Sequence, residues 1–318
     1  MLDVKTTEDQ EIMRQLSARE NEALAPQQSL AVFFWRRFRK HRMAMVGLVV
    51  MAIILLLIVA APITARYDPN KQNLRNRFAP PSWEHWMGTD QLGRDFWARV
   101  IYGGRVSLAV GLLTMLVSTL IGSTVGLLAG FYGGMVDAIL MRITDVFLSL
   151  PTLFVLLLVT TLLRASRSPV FQPGSFWPIA FIIGALSWMN VARLVRASTL
   201  ELRERDFVAA SRALGVSDFR LLFQHILPNV ASPVIVAATL RFAGAIITES
   251  GLSFLGMGVQ PPTPTWGNLL SNAQTDMINA PWIAIFPGLM IFITVISVNY
   301  IGDGLRDALD PRHVMERA

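Results

Sequence analysis

Two ionisable residues, Arg241 and Glu249, interrupt an otherwise uncharged run from Val230 to about Met257. Carrying a charge into lipid is costly, so such residues mark transport paths, proton relays or internal polar contacts. They stand eight apart, about 12 Å along a helix at 1.5 Å per residue, so they cannot pair with each other. A structural hydrogen bond near a membrane surface is the expectation for Arg241. For Glu249 two readings stand level: a structural hydrogen bond inside a helix bundle, or a place on a translocation path. Conventional catalytic signatures are missing, since no H-E-x-x-H, G-x-S-x-G or G-x-x-x-x-G-K-[ST] occurs. The chain has no cysteine, which excludes disulfides, thiol catalysis and zinc-thiolate sites, and its 4 histidines are scattered without metal-ligand spacing.

A second concentration of polar chemistry lies between Arg193 and Pro228, with strongly apolar sequence on both sides. Leu200 to Leu214 consists of good helix formers, and Gly215 ends that helix because glycine accepts a left-handed C-cap. Ser217 or Asp218 then caps a second helix to Leu227, which Pro228 closes. Phe207, Leu214, Phe219 and Leu222 form an apolar patch on this helix, glycine, helix unit, with Ala209, Ala210 and Ser211 beside it and arginines as its rim. Two readings remain open. The unit is gripped by a partner and passes motion to the flanking spans, or it is an ordinary basic loop.

The elements that hold these residues are membrane spans. Of 318 residues, 53% are hydrophobic and 16% charged, against about 25% charged in a soluble domain. The net charge of +6 collects beside apolar runs as an orientation signal, not as nucleic-acid affinity. Residues 1–42 read as a cytoplasmic tail, with a short helix between Thr7 and Leu24 as the alternative, followed by a basic, aromatic interfacial segment from Ser29 to Arg42. Residues 43–65 form the first span, residues 66–105 an external loop, and residues 106–302 the transmembrane core with the loop 193–228. Residues 303–318 form a cytoplasmic tail. The remaining spans are Val106 to Val136, Val146 to Leu163 with Pro151 as a kink, Phe176 to Ala192, Val230 to about Met257, and Trp282 to Ile301. Six spans with both termini inside result, the five positive charges from Arg36 to Arg42 holding the N-terminus in. Arg142 and Asp145, three apart, can pair on a helix. Ser118, Gly122, Gly126 and Gly130 lie four apart on one helix face and form a close-packing surface. Val259 to Pro281 reads as a proline-rich external loop, and Asp90 as a helix cap.

The run A-A-S-x-x-x-G from Ala209 to Gly215, followed by I-L-P from Ile226 to Pro228, resembles the cytoplasmic EAA loop of ABC-importer permeases. Ala209 stands where that pattern has Glu, Ser211 where it has a second Ala, and His225 where an aliphatic is common. Three further stretches narrow the resemblance: G-T-D-Q-L-G-R-D from Gly88, E-S-G-L-S-F-L-G-M-G-V-Q-P-P-T-P-T-W-G from Glu249, and G-D-G-L-R-D-A-L-D-P-R from Gly302. Together they look like the C-type permease subunit of dipeptide, oligopeptide and nickel importers, from Trp35 to Arg312. The resemblance implies an all-α, six-span permease of the type I importer fold in a bacterial or archaeal inner membrane, with a coupling helix that docks on an ATPase. It implies a second permease subunit, two ATP-binding subunits that hold ATP and magnesium, and an external substrate-binding protein. This chain itself would be no enzyme and hold no cofactor. Peptides are the expected cargo and nickel or another small solute the alternative. A proton-coupled secondary transporter is the competing class, and would want carboxylates in several spans, where only Glu249 is a candidate.

Overall fold

The computed structural model describes residues 30–165 and 174–309. The expectations for residues 1–29, most of the turn after Arg164, and the C-terminal residues from 310 lie outside that range. Among the described residues there is no β-strand, only an isolated bridge between Thr89 and Asp95. Helix α1 (Leu30–Phe38) leads through a tight turn to α2 (Arg42–Val59), whose first turn is capped by His41 Nδ1 accepting the Ala44 N–H at 3.0 Å. The first span therefore ends at Val59, and a separate turn, α3 (Ala61–Thr64), follows it.

Residues 66–95 are irregular but tightly tied. Asp90 Oδ1 accepts the Leu92 and Arg94 N–H groups at 2.9 and 3.0 Å, and its Oδ2 accepts Arg94 Nε at 2.7 Å. Arg99 Nε lies 3.6 Å from the same carboxylate. Asp90 thus closes a turn and does not cap a helix. The cap of α4 (Phe96–Tyr132) is Asp95, which takes the Ala98 N–H at 2.8 Å and His85 Nδ1 at 2.8 Å. The external loop consequently stops ten residues before the expected boundary at Arg105.

Helix α4 has 37 residues, about 55 Å at 1.5 Å per residue, and is the column against which the others pack. Gly133 (φ +67°) ends it. Helices α5 (Gly134–Ser149) and α6 (Thr152–Ala165) are bent by 87°. Pro151 does more than kink a span. It forces Leu150 into an extended conformation (φ −89°, ψ 134°) and breaks the helix. Helices α7 (Trp177–Ala185) and α8 (Met189–Arg203) bend by 46°, and α8 carries the fourth span well past Ala192.

After α9 (Asp206–Ala213) come α10 (Asp218–Arg220), a π turn (Leu221–Ile226) and α11 (Leu227–Phe254) as one continuous 37-residue run. Pro228 does not close a helix here. It sits near the start of α11 inside this continuous run, directly after the π turn, whose wider winding makes room for the ring. The expected loop from Val259 to Pro281 contains α12 (Trp266–Asp276), and α13 (Trp282–Leu309) runs beyond Ile301 into the expected tail. Among the described residues four helices are long and apolar enough to span alone, and the number rises to as many as six where each bent pair is counted as one span.

The small-residue face of α4 meets α8. A Cβ on Gly122 would lie 2.7 Å from Trp188 O, one on Gly126 2.5 Å from Ala192 O, and one on Gly130 2.9 Å from Arg196 O. The two backbones approach so closely that only glycine fits. Asp145 pairs with Arg193 at 2.6 Å instead of with Arg142, and Asp137 takes Arg196 in a two-point contact, so α5 is fastened to α8.

Candidate functional site

The polar stretch builds a compact knuckle between the ends of α8 and α11. Helix α8 stops at Arg203, Arg205 is extended (φ −77°, ψ 145°), and α9 starts at Asp206, so the helix expected over Leu200 to Leu214 is two pieces. Gly215 (φ +76°) closes α9. Its N–H bonds to Arg212 O at 2.9 Å and that of Val216 to Ser211 O at 3.1 Å, the pair of bonds that defines a Schellman cap. Nothing lies within 4 Å of a Cβ placed on Gly215, so backbone conformation alone demands glycine.

One side of the knuckle is rooted in a core. Val208, Leu221, Leu222, Ile226 and Val230 are buried together with Leu127 and Phe131 of α4 and Val191 and Val195 of α8. Arg203 Nη1 donates to Phe131 O at 3.2 Å, and Arg212 lies over the Phe131 ring at 5.1 Å. Leu222 therefore belongs inside, not to the outer patch. The wide π turn brings Leu221, Leu222 and Ile226 to the core side, and Phe223 replaces Leu222 outside. Its ring lies 4.6 Å from that of Phe219.

The other side faces solvent. Leu214 is 84% exposed and Phe219 71%, with Phe223 and Phe207 also exposed. Ala209, Ala210 and Gly215 are exposed between them, and half-buried Ser211 donates to Phe207 O at 2.8 Å. A cleft of about 560 Å³ opens beside this surface, lined by Tyr132, Arg203, Glu204, Ala209, Arg212 and Asp218 among others. Of the eight expected residues six are exposed on the knuckle, Ser211 is half-buried and Leu222 is buried. An apolar tip with a basic rim suits a groove on a partner. Phe223 was the residue missed, though its spacing of four from Phe219 places it on the same helical face.

Glu249 lies elsewhere, completely buried on α11. Its Oε1 accepts Ser253 Oγ at 2.6 Å and Thr265 Oγ1 at 3.0 Å. Thr265 in turn caps α12 by accepting the Asn268 N–H at 3.1 Å, completing a capping box with Asn268. Gly267 packs against this corner, where a Cβ would lie 2.6 Å from Ser250 Cα. Trp266 donates its N–H to Ser107 Oγ and its Nε1–H to Val100 O. The long motif from Glu249 to Gly267 is therefore a latch joining α11, α12 and α4. Arg241 has no hydrogen-bond or ion-pair partner among the described residues, and is half-buried.

Residues 122–314 match the family described as binding-protein-dependent transport system inner membrane component. Residues 29–81 match the family described as the N-terminal TM domain of oligopeptide transport permease C. The chain is 40% identical over 276 residues to the oligopeptide transport system permease protein OppC of Bacillus subtilis, covering 87% of this chain and 88% of that one. It is 39% identical over 292 residues to the dipeptide transport system permease protein DppC of Alkalihalophilus pseudofirmus, covering 90% and 92%. Among solved structures, the inward-facing MetNI methionine ABC transporter is similar with a TM-score of 0.55 at 19% identity, over 66% of this chain and 96% of that chain.

Proposed function

The chain belongs to the family of binding-protein-dependent transport system inner membrane components, and from that premise we propose that it is one permease half of a peptide importer driven by separate ATPase subunits. The names of its relatives favour di- or oligopeptides as cargo. A second permease completes the translocation path, an external binding protein delivers the peptide, and ATP with its magnesium is held by the partner ATPases. Both termini and the knuckle face the cytoplasm.

The knuckle is the coupling element. One observation carries this reading: Leu214 and Phe219 are exposed on a unit whose opposite side shares one core with α4, α8 and α11. Force applied at the tip cannot be absorbed by a slack loop, because the Schellman cap at Gly215 and the buried Val208 and Leu221 fix its shape. Movement of an ATPase groove is therefore passed to the ends of α8 and α11, tilting spans and alternating access between the two sides. The test is capture of the co-encoded ATPases from detergent. Leu214→Asp and Phe219→Asp should each weaken capture tenfold or more, the scale of an interface anchor lost, while leaving pairing with the second permease intact. Wild-type capture by both variants would return the knuckle to an ordinary loop.

A further inference from the structure

Helix α1 lies apart from both the knuckle and the latch at Glu249. Its inner face is fixed: Phe38 is buried with Ala44 and Ala308, and Phe34, Leu48, Ile301 and Leu305 pack around them. Phe38 closes directly over Gly304 of α13. The helix is thus strapped to the start of α2 and the end of α13, with its orientation set. Its outer face carries Val32, 50% exposed, and Trp35, 48% exposed. Arg36 lies four residues after Val32 and so shares that face. Arg39 and Lys40 in the following turn, and Arg42 at the head of α2, are also exposed.

Among the described residues none of Arg36, Arg39, Lys40 and Arg42 is paired with a carboxylate. The nearby Asp307 is engaged by His41, at 3.6 Å. Helix α2 has 18 residues, and Arg42, its first, is the only charged one, so these cations stand where the chain leaves the hydrocarbon. We propose that α1 and the turn after it form a binding site for anionic phospholipid headgroups. Trp35 and Val32 enter the interfacial layer, as an amphipathic tryptophan-bearing face does. The four cations then meet lipid phosphates in a fixed arrangement. The membrane is the occupant because the cluster is continuous with a span, so the headgroups are always within reach.

Each cation near an anionic surface is worth about a fivefold change in association. The test uses the full-length chain purified with its co-encoded partners, titrated with phosphatidylglycerol or phosphatidylcholine and followed by native mass spectrometry. Phosphatidylglycerol should be retained in preference, and its retention should fall as salt is raised, because exposed charges are screened. Arg39→Gln and Lys40→Gln, both at exposed turn positions, should each lower retention about fivefold. The triple variant Arg36→Gln/Arg39→Gln/Lys40→Gln should lower it about a hundredfold, and Arg36→Lys/Arg39→Lys should stay near wild type. Equal retention of the two lipids by the wild type, or unchanged retention by both single variants, overturns the proposal. So does binding of an acidic protein partner to α1 without any preference for the anionic lipid.

Discussion

Replacing Glu249 separates a structural latch from a residue on the path. Its Oε1 accepts two hydroxyls, from Ser253 at 2.6 Å and Thr265 at 3.0 Å, in a site with no solvent exposure. Glu249→Ala leaves both hydroxyl protons without that acceptor and opens a small void. A buried donor left unsatisfied costs about 1–3 kcal/mol, so the two together amount to roughly 2–6 kcal/mol. Glu249→Gln keeps an oxygen where both hydroxyls need it. Its amide nitrogen falls where Oε2 already has no hydrogen-bond partner among the described residues, so one orphaned polar atom replaces another and the exchange should cost less than the alanine variant does. The assay pairs the unfolding temperature of the purified transporter with its peptide uptake rate in proteoliposomes. The glutamine variant should keep both near wild type. The alanine variant should unfold at clearly lower temperature, with uptake falling as folded protein is lost. A glutamine variant that is stable and assembled but transports nothing would show that the charge itself acts on the path, and refute the latch.

Two other outcomes follow from packing and topology. Gly126→Leu should abolish folded protein, because its Cβ meets Ala192 O at 2.5 Å and Val195 Cβ at 2.7 Å, and overpacking of that kind costs about 1–3 kcal/mol or more. Gly244→Ala, whose Cβ meets nothing within 4 Å of this chain, should leave folded yield unchanged when both are measured by fluorescence size exclusion. The chain has no native cysteine, so Ile278→Cys, 93% exposed before α13, should label from outside intact cells with an impermeant thiol reagent. Ser217→Cys should not, and its labelling would invert the proposed orientation.

Four of the spans were legible because uncharged runs of this length have few alternatives, and the spacing of Gly122, Gly126 and Gly130 announced a close helix contact that α8 supplies. The glycine at 215 was legible for the same kind of reason: a helix-forming run must stop, and glycine stops it cheaply. What could not be read depended on partners distant in sequence. Asp90 and Asp95 both precede α4, Asp95 directly before its first residue, and His85 engages Asp95 while Arg94 and Arg99 engage Asp90. The acceptor role of Glu249 rests on Thr265, sixteen residues away in another element. Leu222 was placed outside by regular helical spacing, which the π turn at Leu221–Ile226 breaks. Helix α12 was hidden by the prolines before it, although Thr265 and Asn268 have the spacing of a capping pair.

Substrate-stimulated ATP hydrolysis in Gly215→Val tests the coupling role most directly. Gly215 holds φ +76° with open space around it, so valine adds no clash, only the cost of a left-handed β-branched residue, about 1–2 kcal/mol or more. The Schellman cap opens and the two arms of the knuckle lose their alignment, while the spans are untouched. Gly215→Asn, which tolerates the left-handed region, is the control. Reconstituted with its partners, the valine variant should insert and pair with the second permease, yet peptide should no longer stimulate ATP hydrolysis, and the asparagine variant should retain most of the stimulation. Full stimulation in the valine variant would contradict the claim that this knuckle transmits the ATPase motion to the membrane spans.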